Sequence, residues 1–107
     1  MIMDLEEIKE GTTQQIPAKT IIWGETADKK MGWEEAKKWC EEQGGRLPTR
    51  VELLQAVKEK VKGFKLGYYW SSTEVYSILA WDVDFDFGCV DIDVKDVDYY
   101  VRCVRDK

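Results

Sequence analysis

Residues 33–50 read WEEAKKWCEEQGGRLPTR, and they hold one complete helix, its stop and the start of a second helix. Trp33, Ala36, Cys40 and Gln43 recur at the spacing of a single helical stripe, with Trp39 beside it. Glu34, Glu35, Lys37, Lys38, Glu41 and Glu42 fill the opposite face, which reads as solvated. Gly32 stands at the N-cap position, and Gly44-Gly45 supplies the C-terminal stop. Beyond Leu47-Pro48, Thr49 and Glu52 have capping-box spacing. Such a box satisfies two backbone N–H groups at a helix start and is worth roughly 1 kcal/mol. A second helix follows, with Val51, Leu54, Val57 and Val61 predicted to face the core and Gly63 or Gly67 predicted to end the region.

Toward the C-terminus the period changes from helical to strand-like. Tyr69 to Thr73 is one β-rich segment. Residues 80–87 alternate, with Trp81, Val83, Phe85 and Phe87 on one face and Asp82, Asp84 and Asp86 on the other. Gly88 is the turn, Cys89 to Lys95 alternates again, and Tyr99 to Arg105 reads as a terminal strand. Toward the N-terminus, Thr20 to Trp23 is a short β-rich run, and residues 24–32 are a loop. Residues 1–19 read as a polar N-terminal arm, with a short helix at 4–10. Helices first and an antiparallel sheet after them make the class α+β, two helices packed on small antiparallel sheets in one domain over 20–107.

Composition narrows the function classes. A chain of 107 residues holds one core and no second domain. Hydrophobic residues at 44% and five Trp suit a folded chain. The absence of His excludes Ser/His and Cys/His nucleophile pairs and His-ligated metals. Carboxylates are plentiful, yet no nucleophile constellation accompanies them, so an enzyme is the least favoured class and no cofactor is implied. A net charge of -5 argues against non-specific nucleic-acid binding. No apolar run has the length of a membrane span, and the acidic start differs from a signal peptide. The expectation is a monomer that is cytoplasmic, virion-associated or exported by another route.

The charge is concentrated. Residues 1–79 hold 13 acids and 12 bases, whereas residues 80–98 hold seven Asp and only Lys95. The type of acid also switches. Residues 1–74 have 11 Glu and 2 Asp, and residues 75–107 have no Glu and 8 Asp. Strand propensity does not explain this, since it disfavours Asp at least as much as Glu. A solvated face accounts for the charge but not for the loss of Glu. Asp82, Asp84, Asp86, Gly88 and Asp93 approach an EF-hand calcium loop. The Gly falls one place late, though, the last acid is Asp, and strands replace the flanking helices. No metal ligand is assigned on that pattern. Alternate Asp residues in a strand also repeat at roughly 6–7 Å, near phosphate spacing, which suits an acidic decoy for a DNA-binding enzyme.

Three phrases together resemble a known family: residues 33–50, Tyr69-Trp-Ser-Ser-Thr-Glu74 and Tyr100-Val-Arg-Cys-Val-Arg105, with Ala80-Trp81 and Phe85-x-x-Gly88 between them. Their order is similar to the microbial and phage branch of the C-type lectin-like fold. That branch is related to formylglycine-generating enzymes and includes the variable proteins of diversity-generating retroelements. The resemblance covers about residues 20–105. It implies that Cys40 and Cys103 occupy the positions of a disulfide found in animal C-type lectins. With no signal peptide in view, two buried thiols in a reduced core are the preferred reading, and the disulfide is the alternative. The Glu-Pro-Asn and Trp-Asn-Asp calcium ligands of the sugar-binding lectins are missing, as is the close Cys pair of the formylglycine-generating enzymes. Neither activity is implied.

The variable-protein resemblance implies a restricted alphabet. Retroelement copying randomises adenines, AAY codons become NNY, and NNY encodes no Lys, Glu, Gln, Met or Trp. The frame is taken as Trp70 to Glu74, Ala80, Trp81, Val83, Phe85, Gly88, Val90, Lys95 and Tyr100 onward. The intervening candidates are Val75, Tyr76, Ser77, Ile78, Leu79, Asp82, Asp84, Asp86, Phe87, Cys89, Asp91, Ile92, Asp93, Val94, Asp96, Val97, Asp98 and Tyr99. None of these 18 is one of the five forbidden types, which fill 32 of residues 1–74. The expected function is recognition of a protein or surface component through a diversified 75–99 face, whose acidic character suits a basic partner for this copy. Tyr76, Phe87, Tyr99 and the seven Asp are the leading contacts. This reading requires residues 91–94 to be exposed, whereas plain alternation buries Ile92 and Val94 with Val90.

Overall fold

A computed structural model of the chain describes residues 20–107. The expected arm over 1–19, with its helix at 4–10, lies outside the described residues. In chain order the elements are β1 (Ile21–Thr26), α1 (Trp33–Glu42), α2 (Arg50–Glu59), β2 (Tyr68–Tyr76), β3 (Leu79–Asp84), β4 (Cys89–Val94) and β5 (Arg102–Asp106). The α+β class holds. β1 pairs antiparallel with β5, joining the two ends of the described chain, and β2-β3-β4 form a second antiparallel sheet. The sheets meet where Tyr100 N–H donates to the Tyr68 carbonyl and Trp70 N–H to the Tyr100 carbonyl.

α1 forms as its stripe requires. Trp33, Ala36 and Cys40 are buried, whereas Gln43 is exposed and serves as the C-cap. Gly44 takes φ +82°, and Gly45 N–H donates to the Cys40 carbonyl at 2.9 Å. A Cβ on Gly45 would lie 2.5 Å from the Val104 carbonyl oxygen, so only glycine lets this turn approach β5. The Thr49–Glu52 capping box is present in both directions.

Three sequence expectations need correction. First, α2 turns a different face inward. Leu53 and Ala56 are buried, Leu54 and Val57 are half-buried, and Val51 is 53% exposed. A polar residue, Glu52, occupies part of the inner face, and that hid the true stripe. The helix also stops earlier than Gly63, at Lys60 in the left-handed region (φ 56°). Second, β3 ends at Asp84 and residues 85–88 are a turn, so the alternating strand expected to run to Phe87 stops three residues short, and Phe87 is 79% exposed at the turn. Third, Cys40 and Cys103 form a disulfide, not a pair of reduced thiols. α1 and β5 bring their Cα atoms to 5.5 Å in the same buried cluster, within bridging range.

Two hydrophobic cores hold the elements. The larger joins Trp33, Ala36 and Cys40 of α1 to Leu47, Trp70, Ala80, Val101 and Cys103. The smaller sets Leu53 of α2 against Tyr69 and Val83, with an aromatic group at its edge. There Phe64 stacks on Phe85 at 4.0 Å and meets Tyr69 and Trp23 edge-on.

Candidate functional site

The 75–99 segment is two hairpins and a loop laid across the frame. The first hairpin turns at Ser77-Ile78, and the second turns through 85–88. Asp84 builds the second turn. Its Oδ1 accepts from Asp86 N–H at 2.8 Å, and its carbonyl accepts from Gly88 N–H at 2.7 Å. β4 is an edge strand, in register with β3 through Ala80↔Asp93, Asp82↔Asp91 and Asp84↔Cys89.

The candidate positions sort by burial. Val75, Tyr76, Ser77, Ile78, Asp86, Phe87, Cys89, Asp91, Ile92, Val94, Asp96 and Asp98 are exposed. Leu79, Asp93, Val97 and Tyr99 are half-buried. Ile92 is 38% exposed and Val94 46%, as the diversified-face reading requires, and framework Val90 is exposed with them. Plain alternation fails here because β4 is an edge strand with no layer over that face.

Asp82 and Asp84 depart from expectation, since both are buried. An antiparallel central strand has neighbours on both sides, so alternation alone did not put these carboxylates in water. They are therefore not contact residues, and no exposed ladder of Asp82, Asp84 and Asp86 exists to imitate phosphates. The EF-hand-like run does not form a calcium loop either, since it divides between a strand and a turn.

On the face shared by Trp70, Asp82 and Asp91, a compact polar group forms. One carboxylate oxygen from each of Asp82, Asp91 and Asp93 lies within 4.8 Å of the other two. Tyr99 O–H donates to Asp93 Oδ2 at 3.0 Å, and Asp91 Oδ1 accepts from Ile92 N–H at 2.9 Å. Neither oxygen of Asp82 accepts a hydrogen bond. Burial first, then a hydrogen bond with Asp93 and the negative charges of Asp93, Asp91 and Asp84, pushes the Asp82 carboxyl up to about 9. Burial, and then the bond to Asp93, also raises the Tyr99 hydroxyl. Tyr68 stacks on Tyr99 at 5.1 Å, and its hydroxyl is raised by Asp84 first. Tyr68 was missed by sequence reasoning; two-residue alternation from Trp70 would have put it on this face.

Frame residues lock the segment from below. Lys95 is buried, donates to Glu74 at 2.6 Å and sits 4.0 Å over the Trp33 ring. Trp33 N–H donates to the Lys95 carbonyl, and its indole Nε1 donates to the Ser71 carbonyl. Trp70 Nε1 donates to the carbonyls of Met31 and Val97. On the opposite face of the sheet, Arg50 lies 4.5 Å over Trp81.

Residues 14–105 match the profile of the Lcl C-terminal domain. The chain belongs to that family. Among solved structures, TC14, a C-type lectin from the tunicate Polyandrocarpa misakiensis, has a similar fold, with a TM-score of 0.58 at 13% identity. The similarity covers 81% of this chain and 98% of the tunicate lectin. No curated protein sequence matches the chain. The Lcl C-terminal match and the lectin neighbour together support the resemblance to a retroelement variable protein on a C-type lectin-like scaffold. Lectin-like domains of this family are typically non-catalytic binding modules. Among the described residues, no helix of this Lcl C-terminal domain is long and apolar enough to cross a membrane.

Proposed function

We propose that this domain binds a protein or cell- or virus-surface ligand through the exposed part of residues 75–99, whose side chains vary between copies by retroelement mutagenesis. One observation carries the reading. Of the candidate positions, none supplies a fully buried apolar side chain to either core. The cores close on frame residues, with only Val97 and Tyr99 of the set packed at the edge of the larger one, and exposed residues that folding does not need are free to change.

The exposed set also suits contact chemistry. Tyr76, Ile78, Phe87, Ile92 and Val94 present large apolar side chains to solvent, interleaved with Asp86, Asp91, Asp96 and Asp98. Exposed apolar groups rimmed by charge are the usual composition of a protein-binding patch. The acidic rim favours a basic partner for this copy and speeds its encounter. The reading is of a binding module, not an enzyme.

The coding DNA tests it. All 18 candidate codons are expected to end in C or T, and a near-copy beside a reverse-transcriptase gene is expected to carry AAY at those places. Purine-ended codons at several of the positions overturn the diversification reading.

A further inference from the structure

We propose that Asp82, Asp91 and Asp93 form a site for one hard divalent cation, with Ca2+ preferred over Mg2+. The inference stands apart from the diversification reading, because it needs this copy's residues and not their history.

Two independent observations meet at the site. The first is convergence, since one carboxylate oxygen from each residue lies within 4.8 Å of the others. The second is Asp82 itself. It is 0% exposed, it lies on the face where the other two acids converge, and neither of its oxygens accepts a hydrogen bond. Buried carboxylates are ordinarily paired, hydrogen-bonded or metal-bound. The side chains that converge on Asp82, those of Asp91 and Asp93, are both acids. The nearby lysine of the frame, Lys95, is committed to Glu74 and Trp33. A bound cation supplies the positive charge this group of acids lacks and gives Asp82 a partner.

The donor set selects the ion class. All donors are carboxylate oxygens, which suits Ca2+, Mg2+ or Mn2+ over softer metals. Ca2+ bonds oxygen at about 2.3–2.6 Å and so bridges oxygens up to about 5 Å apart, whereas Mg2+ at about 2.0–2.1 Å demands a tighter octahedron. Asp91 is exposed, so water completes the coordination shell from the solvent side. Tyr99 O–H holds Asp93 from outside, a supporting bond of the kind that orients metal ligands.

The test uses the whole chain, stripped with chelator and titrated with CaCl2 or MgCl2 at constant ionic strength. Calorimetry is expected to show one saturable Ca2+ site with a dissociation constant between about 10⁻⁵ and 10⁻³ M. The thermal midpoint is expected to rise by roughly 5 °C at saturation. Asp82→Asn and Asp93→Asn each weaken binding about tenfold or more. Asp86→Asn and Asp98→Asn, exposed acids outside the triad, leave it unchanged. No saturable heat, an equal thermal shift from NaCl, or an Asp82→Asn chain that binds as tightly as the parent overturns the site. Should Asp82→Asn misfold, Asp93→Asn and terbium luminescence sensitised through Trp70 and Tyr99 decide. Terbium signal that Ca2+ does not displace counts against the proposal.

Discussion

Glu52 shows how one side chain decides a helix face. It is buried, yet Arg46 grips it with two bonds, Nη1 to Oε1 at 2.9 Å and Nη2 to Oε2 at 2.8 Å. Thr49 N–H adds a third bond at 2.9 Å. Burial alone pushes this carboxyl up; the Arg46 fork and the Thr49 N–H outweigh it and leave it below the ordinary range. The unfolded value is about 4.3, so the folded protein holds Glu52 ionised more firmly than the unfolded chain does. Its stabilisation is therefore complete above that value and is lost as pH falls through the lower folded value. Urea midpoints measured from about pH 6 downward are expected to fall less steeply in Glu52→Gln than in the parent. Arg46→Ala strands the Glu52 carboxylate and is expected to cost about 2 kcal/mol at neutral pH by urea denaturation, below the range for fully buried pairs because Arg46 is partly exposed. The capping box was legible from Thr49 and Glu52, but this fork was not, because Arg46 sits outside the helix and nothing in its spacing announces the contact. Asp82 failed for a related reason. Alternation says which face a side chain takes, not whether the next strand and loop cover that face.

At the scale of elements, legibility followed how one-sided each stripe is. α1 has small or aromatic residues on one side and six charges on the other, and its buried face came out as read at Trp33, Ala36 and Cys40, with only the terminal Gln43 exposed. In α2 two offset stripes compete, Val51-Leu54-Val57 and Leu53-Ala56, and only packing against Tyr69 and Val83 selects the second. Leu53→Ala is therefore expected to cost about 3 kcal/mol, whereas Val51→Ala changes urea stability by less than about 0.5 kcal/mol. The end of α2 is strained in a way the sequence hides, because Lys60 holds φ 56° without being glycine. Lys60→Gly is expected to raise stability by about 0.5–1 kcal/mol in the same assay. The disulfide ties α1 to β5 across 63 residues. In the chain-entropy account a loop of that length is worth about 4 kcal/mol, so Cys40→Ala/Cys103→Ala is expected to lower the urea midpoint sharply. The Cys40–Cys103 pairing was visible only through resemblance, and inferring the redox state from the leading residues misled.

For the whole molecule, division of labour between frame and face makes a sharper claim than any single contact. The fully buried residues of the cores, the Trp33–Lys95–Glu74 lock and the β1–β5 pairing lie outside the candidate set, of which only Val97 and Tyr99 pack against the larger core. The exposed large residues at 76, 78, 87, 92 and 94 rest on this frame without completing it. Five simultaneous changes, Tyr76→Ser, Ile78→Ser, Phe87→Ser, Ile92→Thr and Val94→Thr, keep β-branched residues on β4 and remove most of the apolar contact area. Surface changes of this kind each cost within about 0.5 kcal/mol and add when they are well separated. The quintuple variant is therefore expected to lose no more than about 2.5 kcal/mol in urea denaturation, less than Leu53→Ala alone. A larger loss, or failure to fold, would mean that the face helps to build the domain, and a surface the fold depends on is not free to be rewritten. Native-like stability, with the tendency to associate reduced at high protein concentration, is the outcome that a binding face carried on an independent frame demands.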